Sequence, residues 1–298
     1  MTSSTPSSNG SATACPFHAE PLTLAETLGR FEREAHVSTF DTGRYRCPFF
    51  VWGQGPTLVC VPGLADDARA FVLPLAHLSR HFRCIAYDWP TGETDGARLA
   101  GHRHPEFVHD LIALLDHVGA KEAFPLGYSF GSTIALEAMR IHPGRFSRGV
   151  LLHGFARRRL APAEKLLASW ARYWKGPLQR LPLRRWVLHT TQRSAFARKE
   201  PDVWDYYLHR TGAQPMAALA RRALVLDNVD LRAALPAIGQ QLLLICGDAD
   251  PLVSKQCETE LLMGLPNIAR IELADCGHMA IYTHPELLAE VVAEFLLS

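Results

Sequence analysis

At 298 residues, 48% hydrophobic and 20% charged, the chain is long enough for one large domain or two ordinary ones, with a sizeable core. A net charge of +1 singles out no class of partner, and no run of about 18 apolar residues occurs, so a membrane span is not expected. Seven cysteines at irregular spacing, without a CxxC pair, argue against both a disulfide framework and a zinc ribbon.

The first 22 residues are Ser/Thr-rich and read as a disordered tail. They lack the apolar stretch of a secretory signal, which together with the cysteine pattern points to a cytoplasmic protein. Next, "PFFVWGQGPTLVCVPG" reads as two strands around a Gly-rich turn, the second ending at Val61. A helical pattern, "ARAFVLPLAHLSRH", leads to a third strand in "FRCIAYDWP". "PEFVHDLIALLDHVGA" starts on Pro and ends near Gly119, and places Phe107, Leu111, Leu114 and Leu115 on one helix face. "AFPLGYS" is a strand and "FGSTIALEAMRIH" a helix; "GVLLHG", "QQLLLICG" and "ARIELADC" are further strands, and "PELLAEVVAEFLL" is a closing helix. Buried strands alternating with helices imply an α/β fold with a mostly parallel sheet. Residues 156–235 break the alternation and read as a helical insertion, which leaves 23–155 and 236–298 as the core.

Within "PLGYSFGSTIALEAM", Gly127, Ser129 and Gly131 form G-x-S-x-G. That pattern arises by chance in roughly one chain in ten of this length, so its context must decide. A strand precedes Ser129 and a helix follows it, as a nucleophile elbow requires, and small residues at −2 and +2 relieve crowding in the turn. The helix start aims its amides and positive dipole end at the serine oxygen. A serine hydroxyl needs a base, and the base needs an orienting group. Sheets of this type carry functional groups at the carboxyl ends of strands. Asp248 and Asp250 close one such strand, and His278 follows another.

These residues give the order Ser…Asp…His, and from about Cys47 onward the chain resembles the α/β-hydrolase-fold serine hydrolases with a helical cap. The resemblance selects Asp250 over Asp248 through the G-x-x-D pattern at Gly247–Asp250, and His278 through Gly277-His278. It implies acyl transfer: His278 takes the proton from Ser129, Asp250 holds the imidazole, and water releases the acyl group. It also implies an oxyanion hole from the backbone N–H groups of Phe130 and Leu64. Pro62-Gly63 replaces the usual His-Gly there, Ser132 replaces a second glycine after the elbow, and "DWPTGETDG" is a loose form of another family loop. No cofactor or metal is implied. The expected substrate is a small or medium hydrophobic ester; a thioester, acyl transfer to an alcohol, and C–C bond hydrolysis share the same residues. A non-catalytic binding protein on this fold is the alternative of another class.

His102, His104 and His109, beside Asp110, raise a metal reading, but their placement about a helix-starting Pro gives no reason to converge. Cys276 reads as packing, and His153, after "LL", as a pocket-bordering or a structural residue. The insertion holds sixteen Lys/Arg against six Asp/Glu and four of the six tryptophans. It reads as a lid whose apolar, aromatic face covers the site and whose basic face meets water, with contact to an anionic surface as the functional variant. No nucleic-acid reading motif accompanies the charge.

Overall fold

A computed structural model describes residues 17–182, 184–196 and 201–298. Its strands, in chain order, are β1 (His36–Asp41), β2 (Arg46–Trp52), β3 (Thr57–Val61), β4 (Arg83–Tyr87), β5 (Phe124–Tyr128), β6 (Arg148–Leu152), β7 (Gln241–Gly247) and β8 (Ile268–Leu273). Helices α1 (Leu24–Glu34), α2 (Val72–Leu78), α3 (His104–His117) and α4 (Phe130–Ile141) fall between the early strands. The insertion carries α5 (Pro162–Ala171), α6 (Arg184–Gln192), α7 (Pro201–Ala213) and α8 (Met216–Asp227); α9 (Lys255–Gly264), α10 (Ala280–Thr283) and α11 (Pro285–Leu297) follow.

The sheet runs β1-β2-β4-β3-β5-β6-β7-β8. Only the β1–β2 and β2–β4 pairings are antiparallel. The central strands are apolar throughout because both faces are covered. Alternate side chains therefore feed two cores: Leu58, Cys60, Leu126 and Val150 pack on one side, and Val59, Val61, Leu151 and Leu244 on the other. Cys60, Cys84 and Cys246 are buried among these residues, and burial pushes the Cys246 thiol up to about 12, so they behave as small hydrophobes. Among the described residues no helix is long and apolar enough to cross a membrane.

Four elements were not read in the sequence: α1, β1, α9 and α10. α1 is held by a capping box between Thr23 and Glu26 and packs its Phe31 edge-on against Phe50 and Trp52. β1 is one of the two edge strands and buries only Phe40, so it lacks the apolar run that marks the central strands. Of the N-terminal stretch, residues 1–16 lie outside the described residues. Residues 17–22, assigned to the tail, instead run along α11, where the Ala19 amide donates to Glu290 at 2.8 Å.

The start of α4 abuts the end of β3. A Cβ on Gly131 would lie 2.1 Å from the Val61 carbonyl and 2.6 Å from that of Pro62, so only glycine permits this approach. Gly127 is confined likewise, with the Ser132 Cα 2.7 Å from where its Cβ would stand. Gly131→Ala should therefore cost about 1–3 kcal/mol, because rigid backbone must move. Urea unfolding would measure it, and a midpoint equal to wild type would refute the packing argument.

Candidate active site

β5 delivers Ser129 at its carboxyl end, and α4 begins one residue later. Ser129 has φ 52°, in the left-handed region, which is the strained turn of an elbow. The turn is tied down on several sides. The Ser129 amide donates to the Leu152 carbonyl at 2.9 Å, and Ser132 Oγ donates to the Ser129 carbonyl at 2.6 Å. Ser132 Oγ also accepts the Phe155 amide at 3.2 Å. The residue standing in for a second glycine is thus a clasp between the elbow and the chain leaving β6.

His278 Nε2 lies 3.0 Å from Ser129 Oγ, and His278 Nδ1 lies 2.8 Å from Asp250 Oδ2. The second carboxylate oxygen of Asp250 accepts the amides of Leu252 and Val253 at 2.8 and 3.1 Å. Asp248 points elsewhere: its oxygens accept the amides of Asp275 and Cys276, each at 3.0 Å, and so pin the loop that carries His278. The three residues expected from the sequence are brought together, and the two aspartates differ in their contacts: Asp250 meets His278, whereas Asp248 meets the loop backbone.

His153 completes the cluster. It is 1% exposed, has φ 50°, and its Nδ1 lies 2.9 Å from Asp250 Oδ2, the oxygen that also meets His278. Burial pulls the His153 pKa down to about 4, so at neutral pH the ring is uncharged. Burial pushes the Asp250 carboxyl up, but contacts from His153 and His278 prevail and hold it well below the usual carboxylate range. The sequence offered His153 as either a pocket-bordering or a structural residue; its position at the end of β6, beside β7, is the signal that places it next to Asp250.

Phe130 is the first residue of α4, so its N–H has no acceptor within the helix. Leu64 lies in the loop after β3, against which α4 starts, and it lines the same cavity as Ser129. Substitution of Pro62 for histidine leaves the loop firmly held. Trp89 Nε1 donates to the Gly63 carbonyl at 2.9 Å, and Arg222 Nε donates to the Leu64 carbonyl at 2.9 Å. Arg222 comes from α8 in the cap and is 2% exposed. Nothing distinguished it in sequence from the other cap arginines.

The cavity at Ser129 measures about 450 Å³. Core residues Tyr128, Phe155 and Met279 line its base, and Leu160, Leu167, Leu178, Met216, Leu219 and Ala223 come from the inserted segment. The insertion supplies much of this wall, but its tryptophans are not the lining. Trp170, Trp174 and Trp186 are exposed, and Trp204 packs against Phe196 and Tyr207. Asp66, also in the wall, is buried; burial, then the neighbouring Asp67, raise its pKa to about 7. The basic surplus partly serves docking: Arg210 of α7 pairs with Asp67 of the core, and Lys165 pairs with Asp227 at 2.6 Å within the cap.

The histidines near α3 do not converge. His104 Nε2 meets Thr133 Oγ1 at 3.1 Å, and His102 Nε2 lies 3.5 Å from Asp110, which also pairs with Arg44. Among the described residues, the His/Cys/Asp/Glu group whose ligand atoms do converge is His153, Asp250 and His278.

A serine at a strained strand–helix turn, facing an imidazole and a carboxylate at the ends of later strands, defines an α/β-fold hydrolase site. The chain belongs to the alpha/beta hydrolase family, whose model matches residues 58–291. It is similar to the uncharacterized hydrolase YugF of Bacillus subtilis, at 26% identity over 246 residues, covering 80% of this chain and 89% of that one. It is also similar to the pimeloyl-[acyl-carrier protein] methyl ester esterase of Aeromonas hydrophila, at 24% identity, covering 82% of this chain and 97% of the relative. Among solved structures, a thermophilic esterase from Thermogutta terrifontis shares the fold with a TM-score of 0.76 at 19% identity, covering 88% and 98% of the two chains.

The buried neutral His153 has a stability consequence. An unfolded chain binds that proton at the ordinary value of 6.5, the folded one only at about 4. Between these limits the unfolded state holds more protons, so stability falls as pH drops through the window. His153→Gln should flatten this fall. Chemical denaturation of both proteins at pH 6.5 and 4.5 would show it, and equal losses would contradict the assignment.

Proposed function

We propose that the protein hydrolyses carboxylic esters of small or medium hydrophobic acids or alcohols through an acyl-Ser129 intermediate. The observation that carries this reading is the continuous chain Ser129 Oγ–His278 Nε2–Nδ1–Asp250 at 3.0 and 2.8 Å, opening into an apolar cavity. His278 accepts the hydroxyl proton as Ser129 attacks the carbonyl carbon. Asp250 keeps the ring in the tautomer that leaves Nε2 free and stabilises the imidazolium that forms. His153 meets the same carboxylate oxygen as His278 while remaining neutral itself. The N–H groups of Phe130 and Leu64 receive the developing oxyanion, with the dipole of α4 behind them. Protonated His278 then donates to the leaving alkoxide, and water, deprotonated by the same ring, attacks the acyl carbon and frees the acid.

Several features favour an ester over a charged or extended substrate. The walls near Ser129 are mostly leucine, alanine and methionine; of the charged lining residues, Arg158 and Glu164 are held to each other at 3.4 Å and Asp66 is buried. Esterases stand among the similar proteins. Thioester cleavage, acyl transfer and C–C hydrolysis would use the same three residues and are separated by substrate panels. The cysteine pattern keeps the cytoplasm as the proposed compartment.

The decisive test is stopped-flow release of p-nitrophenol from acetate, butyrate and hexanoate esters. Wild type should give a burst equal to the enzyme concentration, absent in Ser129→Ala, whose kcat should fall by about 10³-fold or more. Absence of a burst and of turnover with every ester would remove the ester reading. The aspartates should separate as sharply. Asp250→Asn should cost about 10⁴-fold in kcat by favouring the wrong tautomer. Asp248→Asn, which alters only a loop anchor, should stay within about tenfold of wild type. Equal losses in the two variants would overturn the division of roles.

A further inference from the structure

A second cavity, of about 440 Å³, lies on the other side of α8 from the pocket at Ser129. The helix separates the two. Met216, Leu219, Ala220 and Ala223 face the first, whereas Arg221, Leu224, Val225 and Asn228 face the second. Its opposite wall is the segment 99–103 together with His104 and Pro105 at the start of α3, and Arg172 closes it from the end of α5.

The charge of this cavity is one-sided. Arg103, Arg172 and Arg221 line it, and no carboxylate does. Among the described residues none of these three arginines forms an ion pair with Asp or Glu. Other arginines of the insertion do: Arg157 with Asp230, Arg158 with Glu164, Arg210 with Asp67. Arg172 Nε is buried without a hydrogen-bond partner, and so is Nε2 of the lining residue His102, whose nearest charged neighbour is Asp110 at 3.5 Å. The Arg172 guanidinium is held over the Tyr173 ring, with 4.8 Å to its centroid, and so is already oriented. Three cations around one cavity, none paired with a carboxylate among the described residues, repel one another, and a bound anion removes that cost. The rest of the lining is apolar, from Leu99, Leu224, Val225 and Val229.

We propose that this cavity binds a phosphate monoester carried on a small apolar body. One guanidinium fork saturates a carboxylate, whereas three separate cations suit the three terminal oxygens of a phosphate monoester and its nearly double charge. Arg172 and Arg221 hold the head, exposed Arg103 completes the ring from the α3 side, and Leu224 and Val225 meet the apolar body. The proposal rests on this cavity alone and stands apart from the reaction at Ser129.

Calorimetric titration of the full chain with phenyl phosphate at low ionic strength tests it. One site is expected, with Kd weakened at least tenfold in Arg172→Gln/Arg221→Gln and about threefold in Arg103→Gln. The latter side chain is exposed, so that variant gives a reading even if the double variant folds poorly. Phenol should bind far more weakly than phenyl phosphate. Equal affinity in wild type and the variants would place the probe elsewhere and overturn the proposal. So would the absence of binding at millimolar phenyl phosphate. Inorganic phosphate binding as tightly as the ester would indicate an adventitious ion only, and would overturn it as well.

Discussion

The contact on which the rest of the site depends is the one between a helix start and a strand end. α4 begins so close to the last residues of β3 that no side chain fits at Gly131. That approach sets the Phe130 amide beside the loop carrying Leu64 and forces Ser129 into left-handed backbone. Strain of this kind persists only where surroundings over-determine it. Here they do, through the Leu152 carbonyl, the Ser132 hydroxyl and the buried core beneath Tyr128. The serine is presented rigidly because its neighbours leave it no alternative.

Around that fixed point the partners arrive from the far side of the sheet. β7 and β8 lie next to β6 in parallel register, so the loops after them open on the same edge as the elbow. Asp250 gathers two imidazoles and two backbone amides on its two oxygens, which explains how a largely buried carboxylate stays ionised. The cap joins the arrangement through charge. Arg222 reaches under it to the Leu64 carbonyl, and Arg210 clamps Asp67. The shape of the loop that would receive an oxyanion is therefore set partly by a residue of the insertion.

Much of this could be read from the sequence, and the limits have physical causes. Parallel strands buried on both faces give unbroken apolar runs, so β3, β5, β6 and β7 stood out. Their ends carried Ser129, Asp250 and His278 into view, since strand ends are where such sheets expose chemistry. β1 stayed hidden because its stretch "HVSTFD" sets two large apolar residues apart by polar ones, whereas β8, also an edge strand with one buried residue, showed through the apolar residues of "IARIEL". Arg222 and Trp89 act by hydrogen bonds to backbone carbonyls far away in sequence, and no spacing rule encodes those partners. The tryptophans of the cap misled for a related reason. An amphipathic stretch announces an apolar face but not which way it turns, and in α5 that face looks outward, with Leu166 and Trp170 exposed.

The insertion leaves the sheet after Leu152 and returns at Gln241, and these two strands are immediate neighbours. Pairing Leu152 with Ile245 therefore closes a loop that contains the whole cap. The entropy of such a closure grows only with the logarithm of loop length, about 0.6 kcal/mol for each doubling. A cap twice as long would burden the sheet by no more than one weak hydrogen bond. The architecture thus separates two inheritances: the strands that carry Ser129, Asp250 and His278 at their ends are held by local register, while the segment that shapes the pocket is free to be rebuilt at little thermodynamic risk. What such a long closure does delay is assembly, because the β6–β7 contact is non-local and forms late relative to pairings between nearer strands.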